Sequence, residues 1–266
     1  RMDRAEDAIN TAPEQALASL DSIRRTTLIT APRRARYALL KAMALDKCCI
    51  DTTDINLIMP AVRYYTRKGS PDEKMRTYLY LGRIHQNAFQ NDSAMVSYLR
   101  AASYSERAVD LHYKGILMSS ISDVYRMGYN YARALEYEEM AYSCFSAVGD
   151  TTNVWYALPH LASLNSSKLN ISKSDSLYSV FRQMPILDTA YFVQCMNEHA
   201  ADLVLSDGVG YLEAIDIFET STVEFNLPLS VHDSYVYAYA LEKAGKSDSA
   251  DEILSLIHSS VQDSLY

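Results

Sequence analysis

The residue types that most often carry catalysis are present in this chain, but the sequence does not group them. The histidines are His85, His112, His160, His199, His232 and His258, scattered without an HExxH pattern or a neighbouring cysteine pair. His85 has core spacing, so we interpret it as a packed side chain bonded to a neighbour. No GxGxxG or GxxxxGK[ST] motif is present, and Asp207–Gly210 is predicted to be a turn rather than a phosphate loop. The sequence therefore predicts no enzyme, no metal site and no cofactor.

A polar stripe offers a different kind of chemistry. Arg76, Leu79, Arg83 and Gln86 follow one another at spacings of three, four and three, which places them on one face of a helix. This face is too polar to belong to a core. Two arginines on one stripe can hold an acidic segment or a terminal carboxylate through charge-assisted hydrogen bonds. The alternative is an ordinary solvated helix face.

The helix that carries this stripe belongs to the most informative stretch of the chain, residues 75–110. Tyr78, Leu81, Gly82 and His85 form one apolar stripe, and Ala94, Tyr98 and Ala101 form another after a break at Asn91–Asp92. Gly82 and Ala94 leave room for two helices to approach closely. Because the connection is short, we predict an antiparallel helical hairpin.

The hairpin recurs along the chain. Ala94, Ala134, Ser174 and Ala214 mark successive second helices at steps of 40 residues, and Ala250 follows after 36. Upstream, Ala16 marks a similar segment, and residues 54–65 are predicted to form another second helix. Pro159 lies inside the helix predicted for residues 153–166, so we expect a kink or a late start there. An array of stacked hairpins is the expected architecture.

The 75–110 stretch resembles the tetratricopeptide repeat (TPR). Tyr78, Leu81, Gly82, Ala94, Tyr98 and Ala101 match its signature, whereas His85 stands where tyrosine is usual. The resemblance implies an all-α fold, a right-handed α-α superhelix built as a TPR-like solenoid of helical hairpins. It further implies a single domain over residues 1–266, with best-matching repeats at 75–110, 115–150 and 153–185. A TPR period is about 34 residues, so longer helices or longer loops are expected, and HEAT-like or other hairpin arrays remain an alternative.

The same resemblance implies where a ligand would bind. In TPR proteins the first helices line a concave groove that holds peptides, often by their carboxylates. The corresponding residues here are Arg76, Leu79, Arg83, Gln86, Asn87, Ser119, Asp123, Arg126, Tyr156 and Ser163.

Charge and cysteine usage limit the function further. The net charge of −8 argues against direct nucleic-acid binding. The acidic residues Glu136, Glu138 and Glu139 are interpreted as a solvated helix face. Cys48, Cys49, Cys144 and Cys195 lack metal-ligand spacing and are predicted to be buried thiols.

These observations predict a non-catalytic scaffold that binds a protein or peptide segment. The stretches DSAMVSYLRAA, ALASLDSI and RYYTRKGSPDEK resemble a group of bacterial exported or membrane-attached TPR sensor and regulator proteins. That resemblance implies the sensor or assembly domain of a larger signalling protein, periplasmic or extracytoplasmic, with membrane attachment through segments outside this sequence. Two alternatives stay open: a glycan-binding component of an exported capture system, for which only Trp155 is available, and a cytoplasmic peptide-sensing regulator.

Overall fold

The computed structural model describes residues 1–206 and 210–263, and within these ranges the chain forms α-helices and no strands. The turn predicted at Asp207–Gly210 lies almost entirely outside the described residues. The helices are α1 Met2–Ala8, α2 Pro13–Asp21, α3 Ala31–Lys47, α4 Met59–Lys68, α5 Pro71–Asn87, α6 Asn91–Ser105, α7 Leu111–Met127, α8 Tyr131–Ala147, α9 Thr151–Ser167, α10 Ile171–Gln183, α11 Thr189–Ser206, α12 Tyr211–Glu219, α13 Val231–Lys243 and α14 Ser247–Asp263. Short 3₁₀ segments lie at Arg25–Thr27 and Ile55–Leu57, and a π-helical turn at Thr220–Glu224 extends α12.

The contacts group the chain into two compact units, Arg1–Thr151 and Thr152–Tyr266. In unit 1, α1 packs on α2, α3 on α4, α5 on α6, and α7 on α8. The first helices of successive hairpins, α1, α3, α5 and α7, also contact one another in sequence. In unit 2, α11 packs on α12 and α13 on α14. A single domain over residues 1–266 stays a prediction.

Small residues at the marker positions let the helices of each hairpin approach closely. Ala94, Ala134, Ser174 and Ala214 are all fully buried. A Cβ atom at Gly82 would lie 2.2 Å from the ring of Tyr98, which is itself fully buried. In the next hairpin Ser122 replaces this glycine, and its hydroxyl donates a hydrogen bond of 2.9 Å to the carbonyl of Ala134 on the partner helix.

The first helices end in the same way at a regular interval. Cys49, Phe89, Tyr129 and Leu169, each 40 residues apart, have left-handed φ angles between 55° and 61°, and Gly245 takes the same role in the last hairpin. After each comes a backbone N–H that bonds the carbonyl five residues back, as Gln90 does to His85. This is the Schellman motif, in which glycine is usual. A residue with a Cβ costs roughly 1–2 kcal/mol there.

Several local expectations are corrected by the structure. Glu136 and Glu139 are exposed as predicted, but Glu138 is 1% exposed, because it lies on the face of α8 that packs against α7. Cys49 is exposed, since it occupies a turn, while Cys48 and Cys144 are half-buried and Cys195 is buried. Helix α9 begins at Thr151 and continues through Pro159, so the late start was wrong. Residue 54 belongs to no α-helix: Asp54 is exposed and caps the 3₁₀ turn before α4.

Unit 2 contains a buried histidine with a defined environment. His199 on α11 is 4% exposed and stacks on Tyr178 of α10, with ring centroids 4.3 Å apart. Its Nε2 lies 3.2 Å from Asp175 Oδ1. Burial lowers the pKa of His199, and the negative charges of Asp175, Glu213 and Asp202 oppose that shift without cancelling it.

We predict that Gly82→Ala destabilises unit 1 in urea unfolding followed by far-UV circular dichroism. Overpacking against Tyr98 costs about 1–3 kcal/mol, and the gain in helix propensity returns at most about 1 kcal/mol. Gly128→Ala is the matched control, because the nearest atoms to a Cβ at that position lie 3.5 Å away. Equal stability of the two variants would contradict the close approach at Gly82.

We predict that His199 makes unit 2 less stable as the pH falls from 7 to 5. The unfolded chain takes up a proton near the ordinary histidine pKa of 6.5, whereas the folded chain resists it, so stability is lost below that value. Trp155, the only tryptophan, is fully buried in this unit and reports its unfolding by fluorescence. His199→Gln should flatten the pH dependence, and His232→Gln, which removes an exposed histidine, is the control. Asp202, whose pKa burial raises, acts in the opposite sense nearer pH 4.

Candidate functional site

Helix α5 carries the polar stripe that the sequence singled out. A capping box fixes its start: Ser70 Oγ accepts from the Glu73 N–H at 3.1 Å, and the Glu73 carboxylate accepts from the Ser70 N–H at 2.7 Å. Because the start is fixed, the helical register places Arg76 and Arg83 on the face that meets α3 and α7. These two arginines are the core of the candidate site.

Arg76 is half-buried and has no anionic partner. Its guanidinium lies over the Tyr113 ring of α7, 5.4 Å from the ring centre. Its Nε atom is buried and makes no hydrogen bond. Within residues 1–206 and 210–263, no carboxylate is recorded within 4.0 Å of it. Arg76 is therefore a half-buried cation held in place by an aromatic ring, with no carboxylate partner recorded among the described residues.

Arg83 is more engaged than Arg76. Its Nε lies 3.7 Å from Asp46 Oδ1 on α3, and its side chain is 33% exposed. Like the Nε atom of Arg76, the Nε atom of Arg83 makes no hydrogen bond. Burial lowers the pKa of Arg83, but the charges of Asp46 and, farther away, Asp123 outweigh it and keep the pKa above its ordinary value. Arg83 is thus a charged donor loosely held by one carboxylate.

Leu79 does not belong to an open groove. It is completely buried, because its place on α5 points into the layer between neighbouring first helices. The prediction of Leu79 as a groove contact is corrected: it is a core residue.

Tyr80 is a site residue that the sequence reasoning missed. It lies four residues after Arg76 and three before Arg83, so it shares their stripe. The residue is 1% exposed, and its hydroxyl has no hydrogen-bond partner. Burial raises its pKa well above the ordinary value, so the hydroxyl stays protonated and can donate. Its spacing from the two arginines is the signal in the sequence that could have found it.

Gln86 and Asn87 serve the fold first. Tyr98 donates from its hydroxyl to Gln86 Oε1 at 2.6 Å, which ties α6 to α5. Asn87 donates from Nδ2 to the carbonyl of Thr52 at 3.3 Å, which ties α5 to the preceding hairpin. Both side chains are half-buried, so they border the site.

The predicted residues of α7 are occupied by partners of their own. Ser119 donates to Glu138 Oε1 at 3.4 Å, and Arg126 pairs with Asp123 at 3.2 Å. Helices α5 and α7 contact each other, and the negative charge of Asp123 is among the smaller influences that raise the pKa of Arg83. Its negative charge borders the arginine pair on this side.

The other polar side chains near the two arginines come from the start of the chain and from α3. Tyr113 donates from its hydroxyl to Asn10 Oδ1 at 3.5 Å, which links the segment after α1 to α7. Lys47 lies near Asp46, Asp150 and Arg83, and burial lowers its pKa. We call the set formed by Asn10, Asp46, Lys47, Arg76, Tyr80, Arg83 and Tyr113 the inner polar cluster of unit 1.

Tyr156 and Ser163 lie on α9 in unit 2. The Tyr156 ring packs against Trp155 and Tyr191, with centroids 4.9 and 5.2 Å away, and remains 37% exposed. Ser163 is half-buried.

The described residues were expected to hold neither a metal-ligand group nor a membrane-spanning helix. In the part of the chain that the structure describes, no three His, Cys, Asp or Glu residues are grouped for a metal ion. Among the same residues, no helix combines the length and apolar composition that a membrane crossing requires. His85 bonds Gln90 at 2.8 Å through its Nδ1, so it has the predicted bonded neighbour, but it is only half-buried.

Comparison with known proteins establishes the fold. No protein-family profile matches the chain, and no curated protein matches it in sequence. The apo quorum sensor NprR from B. thuringiensis aligns over 96% of this chain and 74% of its own, with TM-score 0.68 and 14% identity. NprR in complex with its cognate peptide NprX aligns over 96% and 76%, with TM-score 0.58 and 13% identity. TPR-like repeats from Podosopora anserina align over 71% and 95%, with TM-score 0.57 and 14% identity. No enzyme family is indicated, and the chain has the all-α fold of a TPR-like helical-repeat protein.

Proposed function

We propose that unit 1 binds a peptide or protein segment along Arg76 and Arg83, with a carboxylate of the ligand at Arg76. The observation that carries this proposal is Arg76, a half-buried cation with an unbonded Nε, whose charge also acts on the buried, unbonded hydroxyl of Tyr80. A buried polar atom without a partner costs roughly 1–3 kcal/mol. An incoming carboxylate at the Arg76 guanidinium can offset part of that cost.

The spacing of the arginines sets the size of the ligand contact. Seven residues of helix separate them, which corresponds to about 10 Å along the axis. An extended peptide covers that distance with about three residues. The contact therefore suits the acidic end of a chain, with one carboxylate at Arg76 and a second acceptor near Arg83.

The structural neighbours agree with this reading, since NprR is solved with its cognate peptide. We further propose that the segment is a non-catalytic sensor or assembly domain of a larger bacterial signalling protein, located outside the cytoplasm and without direct nucleic-acid contact. The alternative function of glycan binding would need an exposed tryptophan to stack on a sugar. Trp155, the only tryptophan, is fully buried and cannot do so.

We predict that Arg76→Gln weakens peptide binding about tenfold or more, because one charge-assisted hydrogen bond contributes roughly 1.5–3 kcal/mol. Short random peptides with free carboxyl ends are selected on the immobilised protein, and the best binder is then titrated by fluorescence anisotropy. Arg107→Gln, an exposed arginine of the same unit, is the control. A selected peptide that binds equally well after amidation, or equally well to Arg76→Gln, would remove the proposed contact.

We predict the opposite effect for Asp46→Asn. Asp46 competes for Arg83 at 3.7 Å and repels an incoming carboxylate, so its neutral isostere should tighten binding of the same peptide. The measurement is the ratio of the dissociation constants of the parent and of Asp46→Asn for this peptide, taken at low and at moderate salt. Weaker binding by this variant would show that Asp46 positions Arg83 rather than competing with the ligand.

A further inference from the structure

The hairpin formed by α13 and α14 holds an open groove of about 560 Å³, which we call the α13–α14 groove. Its floor is made of small residues, since Ala238 and Ala250 are both 3% exposed. Longer side chains at helical spacing stand on either side of this floor: Tyr235, Tyr239 and Glu242 on α13, and Asp251 and Leu254 on α14. The volume lies within the range of clefts that take up small molecules or single side chains.

Two half-exposed tyrosine rings line the α13–α14 groove. Tyr235 is 45% exposed and Tyr239 is 48% exposed. The Tyr239 ring also packs edge to face against Tyr211 of α12, with centroids 6.2 Å apart, so it is held in position. The Nζ atom of Lys243 lies 5.2 Å from the centre of the Tyr239 ring. The chain thus already places one of its own cations over this ring, which is the interaction that an aromatic face offers to a positive charge.

The charge of the α13–α14 groove also suits a cation. Glu242 and Asp251 are exposed, and in the described part of unit 2 the recorded ion pairs join other side chains, such as Arg182 with Asp216 at 3.5 Å. Residues 152–266 contain 5 basic and 15 acidic residues, a net charge of −10. A field of this sign raises the local concentration of cationic ligands.

We propose that the α13–α14 groove binds an arginine side chain of a basic peptide segment. The flat guanidinium lies over the Tyr239 ring in place of Lys243. Its N–H groups donate to the carboxylates of Glu242 and Asp251. Arginine suits the groove better than lysine, because its guanidinium can stack on a ring and also meet a carboxylate with two parallel donors. The site lies in unit 2 and takes a cation, so it is independent of the carboxylate contact at Arg76.

The test uses a short glycine peptide that carries two arginines and a rhodamine label, titrated with the purified chain and followed by fluorescence anisotropy. Its twin carries citrulline, the neutral isostere of arginine, at both positions. The arginine peptide should bind about tenfold or more tightly than the twin, because only a cation gains from the rings and the carboxylates. The difference should shrink at high salt, which screens the charges. Equal binding of the two peptides, or binding of neither, overturns the proposal.

A pair of double variants separates the groove from the overall charge of unit 2. Glu242→Gln with Asp251→Asn should weaken binding of the arginine peptide about fivefold or more. Asp248→Asn with Glu252→Gln is the matched control, because it removes the same charge from exposed residues of α14 that do not line the groove. All four side chains are exposed, so the melting curve by circular dichroism should stay that of the parent. Equal weakening by the two double variants would assign the binding to net charge and overturn the proposal.

A second pair of variants tests the ring. Lys243→Gln should tighten binding of the arginine peptide, because it frees the Tyr239 ring and removes a competing cation. Lys246→Gln removes the same charge from the same hairpin, and no ring contact is recorded for this exposed lysine. It should therefore tighten binding less. Equal effects of the two variants would show that the ring takes no part, which contradicts the proposed site.

Discussion

The rest of unit 1 depends on the contact between the Tyr98 ring and the backbone of Gly82, which has no Cβ atom. It fixes how near α6 can come to α5, and the hydrogen bond from Tyr98 to Gln86 fixes the rotation of the pair. The hydrogen bond from Ser122 to the Ala134 carbonyl does the same for α7 and α8. Once both hairpins are packed in this way, their first helices lie side by side. The stripe that contains Arg76 and Arg83 then lies where α5 meets the neighbouring first helices. The candidate site is therefore a product of hairpin packing and not of a loop.

That placement has an energetic consequence for the two arginines. Side chains between packed first helices lose much of their hydration, and a cation there needs compensation. Asp46 compensates Arg83 at 3.7 Å, whereas Arg76 has only the face of Tyr113. An aromatic face contributes about 0.5–2 kcal/mol to a nearby cation, which is less than a well-placed carboxylate offers in the same surroundings. Because Arg83 has a carboxylate partner and Arg76 has none recorded, Arg76 is the arginine at which an external anion would bind.

Much of this arrangement could be predicted from the sequence, and the exceptions have a common cause. The helical period and the spacing of small residues predicted the hairpins correctly. The marker residues, which recur every 40 positions, are all buried: Ala94, Ala134, Ser174 and Ala214. The same period gives a direction for a side chain but not its depth. Leu79 was therefore misjudged as a groove contact although it is fully buried, and Glu138 was taken for a solvated residue although α7 covers it. Asp46 could not be paired with Arg83 in advance, because that contact joins different hairpins, 37 residues apart in the chain.

The long repeat of unit 1 lengthens its helices rather than its turns. Against a TPR period of about 34 residues, the extra length lies in the helices: α5, α7 and α8 each have 17 residues, and the turns after α5 and α7 have only three. Arg76 and Phe89 stand 13 residues apart, which is about 20 Å along the axis of α5. A contact that spans Arg76 to Arg83 would thus end well before the turn at Phe89. The longer helices therefore keep the candidate site on helix surfaces, away from the turns that close the hairpins.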